Sequence, residues 1–420
     1  MTSRWQWLIR QFARKLWVRV SIFSVAAVIV ALVGVFLAPY VPQSFAERIG
    51  SDSIDDILKI LASSMLAVST FSLATMVSAY SAVSSSVTPR ASKLLMDDTT
   101  AQNALGTFIG SFLFSLVGIV ALSTGLYGQQ GRLILFVATT VVIVLIVVTM
   151  LRWIDYLSHL GRVGETIDRV EQATRRALEE RIAHPALGAR RLDDPTLIPE
   201  DAMPVFAKGI GYVQHVDIGT LVDCAGDSAR DIYVTAQAGT FADRLRPLAR
   251  IAGPLDDDTV DRVRAAFAVG DGRSFDQDPR FGLCVLAEIA SRALSPAVND
   301  PGTAIDVLGR SERLMALWAE GRDAPDEASD DAPPIYVPPI EPDDMFDDIF
   351  APIARDGAGL VEVQIRLQKV LRTLAASDDR KLSAAARRHS RLALARAEKV
   401  LAMEHEVDLL RSLARETQEV

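Results

Sequence analysis

The sequence predicts a mainly α-helical membrane protein with four transmembrane helices, followed by an α+β cytosolic domain with a small β-rich subdomain and C-terminal helices. Three observations predict it. Four apolar runs, at residues 20–40, 60–88, 105–126 and 133–151, are each close to or beyond the roughly 20 residues a helix needs to cross the hydrocarbon core. Beyond them the apolar pattern alternates over residues 203–251 and is helical on either side. The chain is 50% apolar yet carries a net charge of −9, and Asp and Glu crowd residues 256–356, well past the last apolar run.

The first run, with residues 1–19 before it as a basic segment, is too long for a cleaved leader and has no small-residue cleavage site. The second is the most informative. It holds no charged residue from 60 to 89, yet more than half of it is Ser, Thr or Ala. Ser63, Ala67, Thr70, Ala74, Ser78, Ser81, Ser85 and Thr88 recur at steps of three and four, so a small or hydroxyl stripe runs down one side, with Leu66, Leu73, Val77 and Tyr80 on an adjacent apolar strip. Such a stripe serves either close helix packing or a wet path through the membrane. Residues 57–88 as one helix would extend about 48 Å against about 30 Å of hydrocarbon, so it tilts, kinks or protrudes before Pro89 stops it. A hydroxyl and a carboxylate at Ser53-x-x-Asp56 suit its N-terminus.

In the third run Gly106-xxx-Gly110 and Thr107-xxx-Ser111-xxx-Ser115 make a close-packing face. The fourth is almost unbroken Val, Ile, Leu and Thr, which suits contact with lipid. No ionisable residue lies mid-membrane in any run, which disfavours proton-coupled or charge-driven transport.

Basic residues set the orientation. Arg4, Arg10, Arg14, Lys15 and Arg19 precede the first run, and Arg90 and Lys93 follow the second, whereas Glu47, Asp52, Asp55 and Asp56 lie between them. The N-terminus is expected in the cytoplasm, residues 20–153 in the membrane, and everything after about Asp155 back in the cytoplasm. Cys224 and Cys284 are then expected as free thiols.

Residues 154–185 read as a cytosolic extension of the fourth helix. Residues 203–251 read as a β-rich subdomain, with strands at 211–216 and 231–237, a short helix from Asp217 to Ala225, a turn at Gly239 and a last strand ending at Ile251. Residues 252–322 read as a helical subdomain in which Asp278-Pro279 and Asp300-Pro301 each start a helix. Asp278, Glu288, Arg292, Asn299 and Asp300 form its polar cluster, expected as a structural clamp with no metal and no catalytic role. Residues 323–356, rich in Pro and acid, read as a linker or arm whose apolar Tyr336, Val337, Met345, Phe346 and Phe350 dock on something. Residues 357–420 read as a hairpin of two amphipathic helices.

No zinc-finger spacing, Walker loop or dinucleotide fingerprint occurs, no cofactor is expected, and the acidic surface argues against nucleic acid. The motifs Phe71-Ser-Leu-Ala-Thr-Met-Val-Ser-Ala-Tyr80, Ser86-Val-Thr-Pro-Arg90, Leu105-Gly-Thr-Phe-Ile-Gly110, Gly211-Tyr-Val213, Asp278-Pro-Arg-Phe-Gly282 and Arg292-Ala-Leu-Ser-Pro-Ala-Val-Asn-Asp-Pro301 resemble the predicted bacterial membrane proteins grouped as domain of unknown function 2254. The resemblance covers about residues 12–320. It implies a four-crossing inner-membrane protein with a cytosolic domain, and no established chemistry.

The expectation is a homo-oligomeric channel in the lipid bilayer. Ser63, Thr70, Ser78, Ser81, Ser85 and Thr88 line a path for small ions, Arg90 and Lys93 mark its cytoplasmic mouth, and the cytosolic domain forms a vestibule or gate. The other reading is a non-conducting scaffold or sensor whose stripe is a packing seam and whose C-terminal part recruits cytosolic partners. An enzyme is not expected.

Overall fold

The structure, a computed structural model, describes residues 4–13, 15–37, 52–96, 98–125, 127–226, 230–253, 256–322 and 332–420. The acidic loop between the first two runs falls largely outside these residues, as does the start of the acidic arm. Two units divide the chain. One, here the span unit, is Leu8–Thr166; the other, the α/β unit, joins Met1–Trp7 to Ile167–Val420.

Among the described residues the span unit contains four helices long and apolar enough to cross a membrane, α2 (Leu16–Leu37), α3 (Asp52–Ser86), α5 (Thr99–Ser123) and α6 (Gln129–His159), together with most of α1 (Arg4–Ala13) and the short α4 (Pro89–Met96). Helix α5 is the shared partner: α2, α3 and α6 all pack on it. Its glycines explain why. A Cβ on Gly106 would lie 3.0 Å from the Phe23 ring, and one on Gly110 would lie 3.2 Å from the Phe23 carbonyl oxygen, so α2 rests against the bare backbone of α5. One turn pair further on, Gly118 receives Leu58 of α3. The close-packing face read from the third run is therefore used, and α6 leaves most of its surface uncovered by the protein, as its composition requires.

Pro89 does end α3, and it also opens α4, whose first turn tolerates its missing N–H. The fourth run does not continue into the following helix. Helix α6 stops at Leu160, whose backbone is extended, and Gly161 takes φ +87°, a conformation open to glycine, before α7 (Val163–Ala183) begins. Amphipathic spacing persists across this break, which is why periodicity alone reads straight through it.

In the α/β unit, β1 (Arg190–Arg191), β8 (Ile335–Val337), β4 (Ile232–Val234), β6 (Ala249–Ile251) and β2 (Met203–Val205) form one sheet in that order, with β1, β8 and β4 parallel and the rest antiparallel. Strands β5 (Phe241–Ala242), β3 (Gly211–Val216) and β7 (Phe267–Gly270) form an antiparallel second sheet. Val213, Val216, Ile232, Val234, Ile251 and Phe267, with Leu221 of α8 (Ile218–Gly226), make one buried core. The sheets thus draw on residues beyond 203–251. Strand β7 lies in the stretch expected to be helical, after α9 (Asp257–Ala265), and β8 lies in the expected arm.

The later part of the expected arm, from residue 342, is helical. Helix α12 (Pro342–Asp356) buries Met345, Phe346, Ile349, Phe350 and Ile353, so the apolar residues flagged there do dock. Its acids are paired: Asp344 and Asp348 accept from Arg280 of α10 (Pro279–Ala293) at 2.6 Å, while Asp343 and Asp347 accept from Arg388 at 3.1 and 3.0 Å. Much of the acidity crowded into this stretch is therefore spent between helices. The C-terminal part holds three helices where two were expected, α13 (Val361–Ala375), α14 (Arg380–Ala397) and α15 (Glu404–Glu419), because the chain leaves the helix around Lys399 to Met403 without a Gly or Pro to announce it. Between α10 and α13, helix α11 (Pro301–Arg322) completes the unit.

Candidate functional site

Helix α3 buries one side and presents the other. Ile54, Leu58, Met65, Ser69, Ser72 and Met76 are buried in the bundle. Ser63, Ala67, Thr70, Ala74, Ser78 and Ser81 are all exposed, so the stripe points away from the protomer's own helices. Ser85 lies on the same helix, with its side chain outside the described part. Thr88 does not belong to the stripe: it is 6% exposed, and its Oγ1 accepts from the Ala91 N–H at 3.2 Å, capping the first turn of α4. The helix has ended by then, so the spacing that assigned Thr88 to the stripe no longer applies. Arg90 and Lys93 are exposed on α4.

Three hydroxyls of α3 are satisfied within the helix. Ser63 Oγ donates to the Ile60 carbonyl at 3.0 Å, Thr70 Oγ1 to Ala67 at 2.9 Å and Thr75 Oγ1 to Phe71 at 2.9 Å. Back-bonding of this kind lets a hydroxyl sit in an apolar setting while its lone pairs still face outward. Along this face, Phe71, Ala74, Ser78 and Ala82 of α3 and the Leu160-Gly161 turn border an open groove of about 490 Å³. Ser69 and Ser72 are a second set of hydroxyls, on the inward face, that sequence spacing did not single out. In a helix this rich in serine, the step of three or four fits both sides.

The polar cluster of the α/β unit is two separate sites. Helix α10, 15 residues long, holds Asp278 at its start, whereas Asn299 and Asp300 follow its end, about 22 Å away at ~1.5 Å per residue. Asp278 is 3% exposed and accepts twice from Arg273, at 2.7 and 2.9 Å, and once from the Phe281 N–H at 3.1 Å. Burial pushes its carboxyl upward, and the guanidinium opposes that. The two-pronged contact has the parallel geometry in which a guanidinium and a carboxylate bind most strongly. A Cβ on Gly239, at φ +93°, would collide with Asp278 Oδ2, so this turn is open only to glycine. Beside the pair, burial pushes the Cys284 thiol up to about 12, leaving it neutral and unreactive, and neither it nor Cys224 is in a disulfide.

At the other end, Asp300 accepts from the Thr303 N–H at 3.1 Å and from its hydroxyl at 2.6 Å, capping α11, and Asn299 takes φ +50°. Glu288 and Arg292 sit half-buried on α10 between the two ends. Among the described residues no three His, Cys, Asp or Glu are grouped to hold a metal ion.

The site lies on one of four apolar helices, and the second unit is a separate α/β body, so the molecule has the build of a multi-span membrane protein. The model of the family described as predicted membrane protein, domain of unknown function 2254, matches residues 13–373, and the chain belongs to that family. The match reaches past the quoted motifs through α12 into α13. Uncharacterized proteins of Mycobacterium bovis and Mycobacterium tuberculosis are each 27% identical over 257 residues, which make up 59% of this chain and 49% of theirs. The chain thus spans about half the length of the curated relatives it matches. No solved structure matches it.

Proposed function

We propose that this protein assembles as a homo-oligomeric channel of the bacterial inner membrane. In this reading the outward face of α3 surrounds a weakly selective path for small ions, Arg90 and Lys93 stand at its cytoplasmic mouth, and the α/β unit forms a cytosolic vestibule or gate. The observation that carries the reading is the exposure of Ser63, Thr70, Ser78 and Ser81 on the protomer surface. Had the stripe been a seam inside the bundle, it would lie against α5; that seam is carried by Gly106, Gly110 and Gly118 instead. An uncharged helix face of small residues and back-bonded hydroxyls admits water without the cost of a buried charge. The exposed Trp17 at the start of α2 suits a cytoplasmic headgroup layer, which supports the orientation.

Proteoliposomes of the full chain are expected to pass monovalent ions, and Ser78→Leu or Ser81→Leu to cut the flux about tenfold by narrowing and drying the path. Both positions are exposed, so folding is expected to survive. An absence of flux across ions, voltages and membrane tension, with a stable cytosolic partner recovered from membranes, would favour the scaffold reading.

A further inference from the structure

We infer that the N-terminal helix is a strap, held by the α/β unit through Trp7 and continuing into the first span. The inference goes beyond ion conduction and does not need it. Residues 1–19 are a basic segment, yet Trp7 within it is 5% exposed, a poor fit for a solvated tail. Its indole lies flat on the imidazole of His215, with ring centroids 5.4 Å apart and planes 8° from parallel. Its Nε1–H donates to Asp276 Oδ2 at 2.9 Å, so the one polar atom of the ring is satisfied.

One turn earlier, the Arg4 backbone N–H donates to Asp217 Oδ2 at 2.5 Å, and the Arg4 guanidinium donates to the Ala265 carbonyl. Asp217 is itself 2% exposed and fixed, because Thr220 donates to both of its oxygens, so Arg4 meets a carboxylate that the fold already positions. The socket therefore has three walls: the end of β3, the end of α9, and the loop before α10, where Ser274 also reaches Asp276. Each wall is far from Trp7 in sequence.

Connectivity gives the socket its consequence. The same helix runs on to Ala13, and α2 starts at Leu16, so only two positions of sequence lie between the helix that carries the anchored ring and the first apolar helix. A short helix anchored at one end transmits displacement; a solvated tail would not. A change of state in the α/β unit that alters the His215 and Asp276 walls is then felt at the start of the first span.

Hydrogen exchange on the full-length protein in nanodiscs tests this. Amides of residues 8–13 are expected to be protected in the wild type. Trp7→Ala should raise their exchange about tenfold or more, and Trp7→Phe, which keeps the stack and loses the N–H, should raise it less. Asp276→Asn, a change confined to the α/β unit, should also loosen residues 8–13. Equal exchange of these residues in the wild type, Trp7→Ala and Asp276→Asn would overturn the strap. So would loosening by Trp7→Ala with no response to either Trp7→Phe or Asp276→Asn. Both results can be read whether or not the protein conducts ions.

Discussion

Replacing Asp278 with Ala is expected to destabilise the α/β unit by about 3–5 kcal/mol, the usual cost of stranding a buried partner charge. Arg273 would keep its guanidinium beside the Phe281 ring, 5.2 Å from its centroid, with both of its carboxylate bonds gone. The start of α10 would also lose its cap, since Asp278 accepts from the Phe281 N–H. Cys224 offers a direct readout, because it is 2% exposed within the core of the sheets and reacts only when that core opens. Its labelling rate should rise by about two orders of magnitude or more in Asp278→Ala. The pair Asp278→Leu with Arg273→Met should recover much of the loss, because an apolar pair of similar volume often replaces a buried ion pair at little cost. An unchanged labelling rate in the single variant would mean that the pair does not hold the unit together.

Gly110→Leu is the corresponding test of the span unit. The first atom of any side chain there meets the Phe23 carbonyl oxygen at 3.2 Å, and a backbone oxygen cannot rotate away as a side chain can. The helices must separate, which costs on the order of 3 kcal/mol for an overpacked contact and spreads along the whole α2–α5 seam. In detergent the variant should lose thermal stability and give less monodisperse protein. Gly128→Leu, where a Cβ would meet nothing within 4 Å, should behave like the wild type. Equal stability of the two variants would contradict the close approach of α2 and α5.

Much of this architecture was legible because it depends on local chemistry. Apolar length marked the four long helices, the glycine pair at 106 and 110 marked the packing face, and Asp-Pro at 278–279 and 300–301 marked two helix starts whose caps are in place. What was not legible depends on partners far along the chain. Three residues, Ile335–Val337, are a strand only because Arg190 and Ile232 lie beside them from more than a hundred positions away, and their proline flanks read as an arm. The break at Gly161 and the one before Met403 interrupt amphipathic patterns without changing them.

The two faces of α3 show a subtler limit. The hydroxyl stripe and the inward Ser69 and Ser72 share one composition and one spacing, so periodicity finds both sides and cannot rank them. Packing on α5 ranks them, by taking Leu58 into the notch at Gly118 and burying Met65 and Met76. Trp7 belongs to the same class, since nothing local in a basic segment announces a socket built from three distant elements.

The measurement that bears most directly on the channel reading is aqueous access along α3. Single cysteines would replace Ser63, Thr70, Ser78 and Ser81, and Leu66, Leu73 and Val77 on the adjacent strip, in a background with Cys224 and Cys284 replaced. Each would be exposed in proteoliposomes to a small, charged, membrane-impermeant thiol reagent. A water-lined path predicts that the four hydroxyl positions react while the three apolar neighbours, equally uncovered by the protomer, do not. Protection of all seven positions would mean that this face meets lipid or a dry subunit seam, and would contradict the channel.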